Sequence, residues 1–414
     1  MRILLLNQCF YPDVVSTAQH LTDLAVALAT DGHEVTVVAS RRGYDKPDVR
    51  FRAREHWRGI NIIRIPTLGL GKKARWRRAA DFASFLVACA GQLLLLPRQD
   101  AIVALTSPPL ISFFGALFAR LKGGKFYFWI MDLNPDEAIA AGWLKENSLA
   151  SKVLQALLAY SLRRAEKIFV LDRFMEERVR AKGIAGTRLL VVPPWSHDEA
   201  IKYDEAARTK FRVAHGLADK YVVMYSGNHS PCHPLDTLLQ AAERLSARTD
   251  IVFCFVGGGS EHKKVQEFVA KRALKNVKCL PYQPLTELSA SLSAADLHIV
   301  VMGEPFRGIV HPCKIYNILG LGLPLLYIGP AESHITDITG RLDNYSYEAK
   351  HGEVDRVVAH VLARAAQGAQ RSHDAVSIAA EYSRKRLLPR MVLPLSEVKV
   401  SIEEAVPAPK PQTL

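Results

Sequence analysis

Stretches typical of buried β-strands alternate with stretches typical of helices, and this alternation runs through the chain twice. Short apolar runs predict strands of the first round at 3–6, 34–39, 60–65, 101–105, 125–131, 167–171 and 188–192. Similar runs predict strands of the second round at 221–225, 251–256, 277–280, 297–301 and 325–328. Apolar strands separated by helical patterns are typical of parallel sheets covered by helices on both faces. We therefore predict an α/β fold with two doubly wound parallel sheets.

A break between the two rounds gives the expected domain boundary. Pro193-Pro194 ends the first alternation, and a polar stretch runs to Lys220 before the second begins. The 414 residues are too many for one ordinary domain and suit two of about 200 residues. The expected units are domains over 1–195 and 196–380, a helix over 381–400 that returns to the first domain, and a loose tail over 401–414.

The composition excludes several classes of protein. Hydrophobic residues make up 49% of the chain and charged residues 23%, which is typical of globular domains and not of disordered chains. The six cysteines lie far apart without a C-x-x-C pair, so neither a disulfide scaffold nor a zinc ribbon is expected. We expect a reducing, cytoplasmic location, and the four apolar residues after Met1-Arg2 are too few for a secretory leader.

Positive charge is concentrated in one segment. The formal net charge of +13 indicates an anionic partner, such as nucleic acid, a membrane surface or a phosphorylated substrate. Residues 41–78 hold 13 Lys or Arg against three Asp or Glu, a net charge of +10. Asp81 is the only charged residue in the apolar stretch 79–96 that follows.

This arrangement of charge predicts contact with an anionic membrane surface. The residues expected to face the membrane are Lys72, Lys73, Arg75, Trp76, Arg77 and Arg78. The alternatives for 79–96 are a covered helix of the first domain and a true membrane span, for which the run is short. Few aromatic residues and no recognition motif accompany the basic segment, so nucleic acid is not expected as a partner.

Three glycine-containing turns of the second domain are suited to binding phosphate. They follow predicted strands and precede helices at 226–229, 257–261 and 307–312, where free backbone N–H groups can meet an anion. Lys314 lies in the expected first helical turn after the third, where its charge would add to diphosphate binding. A dehydrogenase or an ATPase is disfavoured, because the first strand lacks G-x-G-x-x-G and no Walker A lysine motif is present.

Ordered sequence motifs resemble a known family. In the first domain they are "MRILLLNQCFYP", "HLTDLAVALATDGHEVTVVAS", "WIMDLNPDEAIAAGWLK", "YSLRRAEKIFVLDRFMEERVRAKGI" and "LLVVPPWS". In the second domain they are "YSGNHSPCHPLDTLLQAAERL", "FVGGGSEHKKV", "LPYQPLTELSASLSAADLHIV" and "GIVHPCKIYNILGLGLPLLYIG". This set over residues 1–390 resembles family 4 retaining glycosyltransferases of the GT-B fold, in the branch of bacterial exopolysaccharide, O-antigen and colanic acid assembly.

The resemblance implies two Rossmann-like domains facing a central cleft, with the nucleotide-sugar donor on the second domain and the acceptor on the first. It implies a UDP-sugar donor, transfer of a hexosyl or N-acetylhexosaminyl group, and a lipid-linked sugar or glycan as acceptor. The residues implied near the donor and its diphosphate are Ser16, Thr17, Gly227, Asn228, Gly258, Glu261, Gly308, Ile309, Val310, Lys314 and Asn317.

Asp132 and Glu304 are the catalytic candidates. Asp132 ends a predicted strand of the first domain and is suited to take a proton from the acceptor, with Asp136 and Glu137 as alternatives. The family's usual two glutamates eight positions apart are absent; Glu304 approximates the first, and Asn317 stands near the place of the second. No D-x-D-like pair is present, so neither a metal nor another cofactor is expected, although His229, Cys232 and His233 leave a metal clip as a minor alternative.

Two alternative functions remain open from the sequence. One is a nucleotide-sugar epimerase or hydrolase of the same fold, which would turn over its donor without an acceptor. The other is a non-catalytic, membrane-associated partner in polysaccharide assembly, which the missing glutamates allow. The favoured expectation is a peripheral enzyme on the cytoplasmic leaflet.

Overall fold

The chain folds into two α/β domains, each built around its own parallel sheet. The structure is a computed structural model that describes residues 1–44, 48–71, 75–196, 201–342, 345–368 and 370–396. The tail expected over 401–414 and the end of the helix expected over 381–400 lie outside the described residues. All six cysteines are free thiols.

The first domain contains an eight-stranded sheet with the strand order β3-β4-β2-β1-β5-β6-β7-β8. Its strands are β1 (Arg2–Leu6), β2 (Glu34–Ser40), β3 (Arg54–Trp57), β4 (Ile60–Ile65), β5 (Ala101–Ala104), β6 (Lys125–Trp129), β7 (Lys167–Val170) and β8 (Leu189–Val191). Seven strands are parallel, and β3 runs antiparallel to β4 at one edge. The sequence interpretation missed β3, because its residues are charged or half-exposed and lack an apolar run.

Helices cover both faces of this sheet. They are α1 (Ser16–Thr30), α2 (Arg75–Leu95), α3 (Ile111–Lys122), α4 (Asp136–Ala140), α5 (Leu149–Arg164) and α6 (Arg173–Ala181). The apolar strands β1 and β5 lie at the centre of the sheet and are almost fully buried. That burial explains why their sequences are continuous apolar runs and not alternating ones.

The second domain contains a six-stranded parallel sheet with the order β11-β10-β9-β12-β13-β14. Its strands are β9 (Tyr221–Asn228), β10 (Ile251–Gly258), β11 (Val277–Leu280), β12 (Leu297–Val301), β13 (Leu325–Ile328) and β14 (Ser346–Ala349). Its helices are α7 (Glu205–Ala214), α8 (Asp236–Arg244), α9 (His262–Arg272), α10 (Leu288–Ser293), α11 (Lys314–Leu321), α12 (His334–Thr339), α13 (Val354–Gln367) and α14 (His373–Ala379). The direction of winding reverses between β9 and β12, and ligands of such sheets bind beside the carboxyl ends of the strands at that point.

A final helix, α15 (Arg384–Ser396), lies against α1 of the first domain. Its buried side chains Leu387, Met391 and Leu395 recur every four residues and so form one apolar stripe. The Tyr127 hydroxyl donates to the Pro394 carbonyl at 3.2 Å, and the Arg390 guanidinium donates to the Val191 carbonyl at 3.0 Å. The last described helix is therefore part of the first domain by packing.

Candidate active site

Gly227 and Lys314 meet at the end of the central strand of the second domain. Gly227 has a φ of +138°, and a Cβ atom there would lie 3.0 Å from Lys314 Nζ. A side chain at this position would be strained and would also crowd the ammonium group. The glycine therefore leaves room for the lysine at the end of β9.

The ammonium group of Lys314 is buried without a hydrogen-bond partner among the described residues. Lys314 is the first residue of α11, and its Nζ lies 3.7 Å from the centre of the Tyr225 ring. Burial lowers its pKa to about 7, because the charged form loses water without gaining an anion. An anion bound beside Nζ would supply the missing partner, and the first turn of a helix favours negative charge.

The ends of β9 and β10 form the floor next to this lysine. Gly259 has a φ of +139°, and a Cβ atom there would lie 2.2 Å from the carbonyl oxygen of His229 and 2.4 Å from Asn228 Oδ1. Glu261 follows in the same turn, and its backbone N–H donates to that carbonyl at 3.0 Å. The structure thus brings Asn228, Gly258 and Glu261 together with Gly227 and Lys314, as the sequence motifs indicated.

Tyr282 lies over this floor, and the sequence interpretation did not single it out. Its ring is 57% exposed, and its hydroxyl donates to the Gly258 carbonyl at 3.0 Å. A Cβ atom on Gly258 would lie 3.2 Å from the ring. The tyrosine stands directly after a proline that follows β11, which is a weak signal without neighbouring strands in view.

The histidines near Lys314 are neutral. Burial lowers the pKa of His229 to about 4 and that of His233 to about 3, and the nearby Lys314 charge acts in the same direction. His233 Nδ1 is hydrogen-bonded to the Val301 carbonyl oxygen at 2.9 Å, and Cys232 Sγ lies 3.9 Å from Glu137 Oε1. Among the residues that the structure describes, His229, Cys232 and His233 do not form a group with metal-ligand spacing.

Asp132 lies on the opposite side of the cleft, just beyond the end of β6. Burial and the neighbouring Glu137 carboxylate raise its pKa to about 8, against the opposing effect of the Arg78 charge. Asp136, one of the alternatives, forms an ion pair with Lys182 at 2.8 Å. Glu137, the other alternative, accepts a hydrogen bond from Asn134 Nδ2 at 2.9 Å. Asp132 is therefore the carboxyl group whose environment best suits proton transfer near neutral pH.

The loop before α1 approaches the start of α11. Ser16 is exposed at the first turn of α1, and its Oγ lies 3.9 Å from Cys313 Sγ, one residue before Lys314. Thr17 follows it and is half-buried. The structure therefore places the N-terminal loop across the cleft from the lysine, although the two are about 300 positions apart in sequence.

The segment Gly308–Val310 differs from the expectation. The backbone N–H groups of Ile309 and Val310 both donate to the Phe306 carbonyl, at 2.9 and 3.2 Å, and are not free for a phosphate. A Cβ atom on Gly308 would lie 2.5 Å from the Phe174 carbonyl oxygen, so this glycine allows close packing against α6. In this structure, the segment forms a contact between the domains and not a phosphate-binding turn.

Glu304 and Asn317 lie near the cleft but outside the group around Lys314. Glu304 is exposed in a short 3-10 turn over 304–306 and makes no hydrogen bond or ion pair within the described ranges. Asn317 is half-buried on α11, three residues after Lys314 and so on the same side of the helix. Their roles stay predictions.

A buried polar cluster joins the two domains beside the cleft. Asp172 of the first domain accepts a hydrogen bond from His311 Nδ1 at 2.7 Å, and His334 stacks on His311 with ring centres 3.6 Å apart. His311 Nε2 lies 2.7 Å from the Tyr316 hydroxyl. Although burial opposes it, hydrogen bonding and charge from His311 lower the pKa of Asp172 to about 2. Sequence inspection missed this cluster, because its members come from distant segments.

The outward side of α2 is apolar. Its large exposed side chains, between 65% and 80% exposed, are Trp76, Val87, Leu94 and Leu95. Its opposite side is buried in the domain core through Phe85, Cys89 and Leu93. The alternative of a fully covered helix is therefore wrong, since only one side of α2 is covered. Lys72 and Lys73 lie outside the described residues, Arg75 begins α2, and Arg77 and Arg78 are exposed in its first turn.

Among the described residues, α2 is also the one helix with the length and apolar composition needed to cross a membrane, over Trp76–Leu95. Helices of soluble proteins share these properties, so length and composition alone do not indicate a span.

Solved structures with this arrangement define the class of the protein. Sucrose-phosphate synthase from Thermosynechococcus elongatus has a TM-score of 0.74 and 15% sequence identity, with 96% of this chain and 99% of that one covered. The Anabaena protein HepE, solved with UDP and glucose, has a TM-score of 0.72 and 16% identity, with 96% and 100% covered. The fold is that of the GT-B glycosyltransferases, with two parallel α/β domains facing a cleft.

Comparison of the sequence gives the family. The "Glycosyl transferase 4-like domain" matches residues 17–195, and "Glycosyl transferases group 1" matches residues 207–310. The chain belongs to the family 4 glycosyltransferases of the GT-B fold. A relative named as a colanic acid biosynthesis glycosyl transferase, WcaI of Escherichia coli strain K12, is 25% identical over 337 residues, which cover 78% of this chain and 82% of that protein.

Proposed function

We propose that this glycosyltransferase moves a sugar from a UDP-sugar to a lipid-linked sugar or glycan, with retention of configuration, during assembly of a bacterial surface polysaccharide. The name of the relative WcaI supports the process, and the complex of HepE with UDP and glucose supports the donor class. The retaining outcome rests on the family resemblance. Hexosyl or N-acetylhexosaminyl groups are the sugars expected.

The buried, unpartnered ammonium of Lys314 is the observation that carries this proposal. It lies beside Gly227 at the start of α11, where a diphosphate would supply its missing counter-charge. During transfer, the bond from the anomeric carbon to the diphosphate oxygen breaks and a bond from that carbon to the acceptor oxygen forms. Negative charge grows on the leaving diphosphate, so a fixed cation there stabilises the transition state more than the ground state.

Asp132 is the proposed base for the acceptor. In its ionised form, the carboxylate takes the proton that the acceptor hydroxyl loses as its oxygen bonds to the anomeric carbon. Its raised pKa makes it a stronger proton acceptor than an ordinary aspartate, and its place in the first domain is on the acceptor side of the cleft.

Tyr282 is the proposed platform for the base of the donor. Its exposed ring lies over Gly258 next to the floor that holds Lys314, and aromatic side chains stack on nucleobases with about 1–3 kcal/mol per base. This residue sets the uracil on the β10 side of the lysine, away from the first domain.

The proposed site of action is the cytoplasmic leaflet of the membrane. The half-exposed α2 presents an apolar stripe, and Arg77 and Arg78 stand at its start. An amphipathic helix with basic residues at one end binds anionic lipid surfaces through both terms. This location supports an acceptor that is itself anchored in lipid.

Thermal unfolding with UDP, GDP, dTDP and ADP tests the donor proposal. UDP at about 100 times its dissociation constant should stabilise the protein by about 2.7 kcal/mol, with smaller effects from the other nucleotides. Lys314→Met should weaken UDP binding at least 10-fold, since it removes a charge-assisted contact. Lys271→Ala, on the surface of α9, is the control that should leave binding unchanged.

Turnover assays then separate transfer from the alternatives. Transfer requires that donor consumption depends on an added lipid-linked sugar or glycan. Donor consumption without any acceptor would instead indicate an epimerase or hydrolase. No selective stabilisation by any nucleotide would contradict the proposal and favour a non-catalytic role.

A further inference from the structure

A cavity of about 140 Å³ opens in the first domain between the carboxyl ends of its strands and the first turns of α2. Gln8 after β1, Ser40 and Arg42 at the end of β2, and Thr67 after β4 line one side. Arg78 and Phe82 of α2 line the other. The donor features around Lys314 lie in the second domain, so this cavity is a separate feature of the molecule.

The charges around this cavity favour an anion. Arg42 and Arg78 both line it, and Arg42 is held in place because its Nε donates to the Thr67 carbonyl at 3.2 Å. Asp81, the acidic residue among the lining residues that the structure describes, accepts hydrogen bonds from the backbone N–H groups of Leu70 and Gly71, at 2.9 and 3.1 Å. Its carboxylate is thus committed to the loop, and the two guanidinium groups dominate the field in the cavity.

The cavity also lies between two features already described. Arg78 is close enough to Asp132 for its charge to lower the pKa of that carboxyl group, which places the cavity next to the proposed base. The apolar stripe of α2 begins on the same first turns and continues for about 18 Å from residue 82 to residue 94, at 1.5 Å per residue. An acceptor with a charged middle and an apolar chain would therefore match the order of cleft, cavity and stripe.

We propose that this cavity holds the phosphate or diphosphate of a lipid-linked acceptor, with the apolar chain along α2 and the sugar directed toward Asp132. This inference rests on the proposed function and names the chemical class of its acceptor. Arg78 is the residue that contacts the anion from the helix, and Arg42 contacts it from the sheet. Bidentate geometry makes arginine the side chain best suited to such a group.

Calorimetric titration with geranyl diphosphate, a soluble lipid diphosphate, tests the site without vesicles. Arg78→Ala should weaken binding at least 10-fold, since a charge-assisted contact to an anion is lost. Arg77→Ala is the matched control: it removes the same charge from the adjacent, exposed position that does not line the cavity. Equal losses in both variants would show a diffuse charge effect and overturn the proposal.

Two further ligands distinguish a lipid headgroup from a free anion. Inorganic pyrophosphate and geraniol should each bind more weakly than geranyl diphosphate, because each supplies one half of the interaction. Pyrophosphate that binds as tightly as geranyl diphosphate would overturn the lipid assignment. Geraniol that binds as tightly would overturn the anion site.

A competition with UDP separates this inference from the donor proposal. Saturating UDP should leave the binding of geranyl diphosphate intact, and Lys314→Met should weaken UDP without weakening geranyl diphosphate. Displacement by UDP, or loss of both ligands in Lys314→Met, would place the lipid diphosphate in the donor site. That result would overturn this inference while the donor proposal stands.

Discussion

Lys314 shows how one residue can be kept ready for a ligand. Its ammonium group is buried next to Gly227 and Tyr225 with no counter-charge among the described residues, and this arrangement lowers its pKa to about 7. Near neutral pH, the free protein therefore holds a mixture of charged and uncharged lysine. A bound diphosphate would favour the charged form and raise the pKa again.

We therefore expect UDP binding to take up a proton through Lys314. Between pH 7 and 9 the UDP phosphates are already ionised, while the free lysine loses its proton, so affinity should fall as the pH rises. Calorimetry at pH 8 in two buffers of different ionisation enthalpy measures the uptake. Lys314→Met should abolish it, and a binding enthalpy independent of buffer in the native protein would contradict the assignment.

The second prediction at this scale concerns Asp132. Its pKa of about 8 means that the carboxyl group is mainly protonated at pH 7 and becomes a base as the pH rises. The turnover number at saturating donor and acceptor should rise with pH through about 8. Asp132→Asn should lower it roughly 100-fold, within the usual range for a general base, and remove this rise.

Asn134→Ala, in the turn next to Asp132, serves as the control for that experiment. It removes the hydrogen bond to Glu137 and leaves the Asp132 carboxyl group in place. A pH profile that is the same in Asp132→Asn and in the native protein would assign proton transfer to another group.

Individual residues were predictable only where a local pattern defines them. Gly227, Asn228 and Lys314 follow from glycine-containing turns and family motifs, because strand ends and helix starts can be read from neighbouring residues. The Asp172–His311 hydrogen bond joins residues 139 positions apart, and no spacing rule indicates it. The availability of backbone N–H groups at Ile309 and Val310 likewise depends on a turn that the sequence does not specify.

At the scale of elements, α2 has two different sides. Phe85 and Cys89 are buried in the first domain, whereas Val87 and Leu94, 73% and 69% exposed, point away from it. Such an exposed apolar side is typical of a surface that contacts another apolar phase. The membrane is the partner proposed for this side.

Substitution of that side should detach the protein from vesicles. The double variant Val87→Glu/Leu94→Glu should bind vesicles of phosphatidylglycerol and phosphatidylcholine at least 10-fold more weakly, since a buried aliphatic side chain contributes about 1.5–3 kcal/mol. Co-sedimentation at low salt measures the change. Val213→Glu/Leu285→Glu, two exposed positions of the second domain, is the matched control. Equal binding by both double variants would exclude α2 as the contact.

The elements themselves were largely predictable, and the exceptions have physical reasons. Every strand predicted from an apolar run is present in the two sheets, because central parallel strands are buried on both faces and need such runs. The edge strands β3 and β14 lack them, since an edge strand is partly exposed. The helix expected over 312–321 begins at Lys314, with Cys313 and not a proline as its cap.

At the scale of the whole molecule, the contact between the domains contains buried neutral histidine. His334 stacks on His311 above Asp172, and burial lowers the pKa of His334 to about 3. An unfolded histidine has a pKa near 6.5, so below that pH the unfolded chain binds a proton that the folded chain does not. Stability should therefore fall with decreasing pH from about 6.5 toward 3.

His334→Gln should reduce this acid sensitivity. Between pH 6 and 5, one such proton costs about 1.4 kcal/mol per pH unit, and the variant should lose roughly that part of the slope. Urea unfolding at several pH values measures it, with His373→Gln at the exposed start of α14 as the control. An unchanged slope in His334→Gln would mean that other groups carry the acid sensitivity.

The packing of α15 against α1 has a consequence for how the protein is made. The ribosome releases α1 early and α15 only after both sheets have emerged, so the apolar stripe of α15 reaches its place last. Until then, the nascent first domain carries an uncovered surface that nascent-chain chaperones recognise. The first domain is thus contiguous in space but not along the chain, and its synthesis is complete only when that of the second domain is.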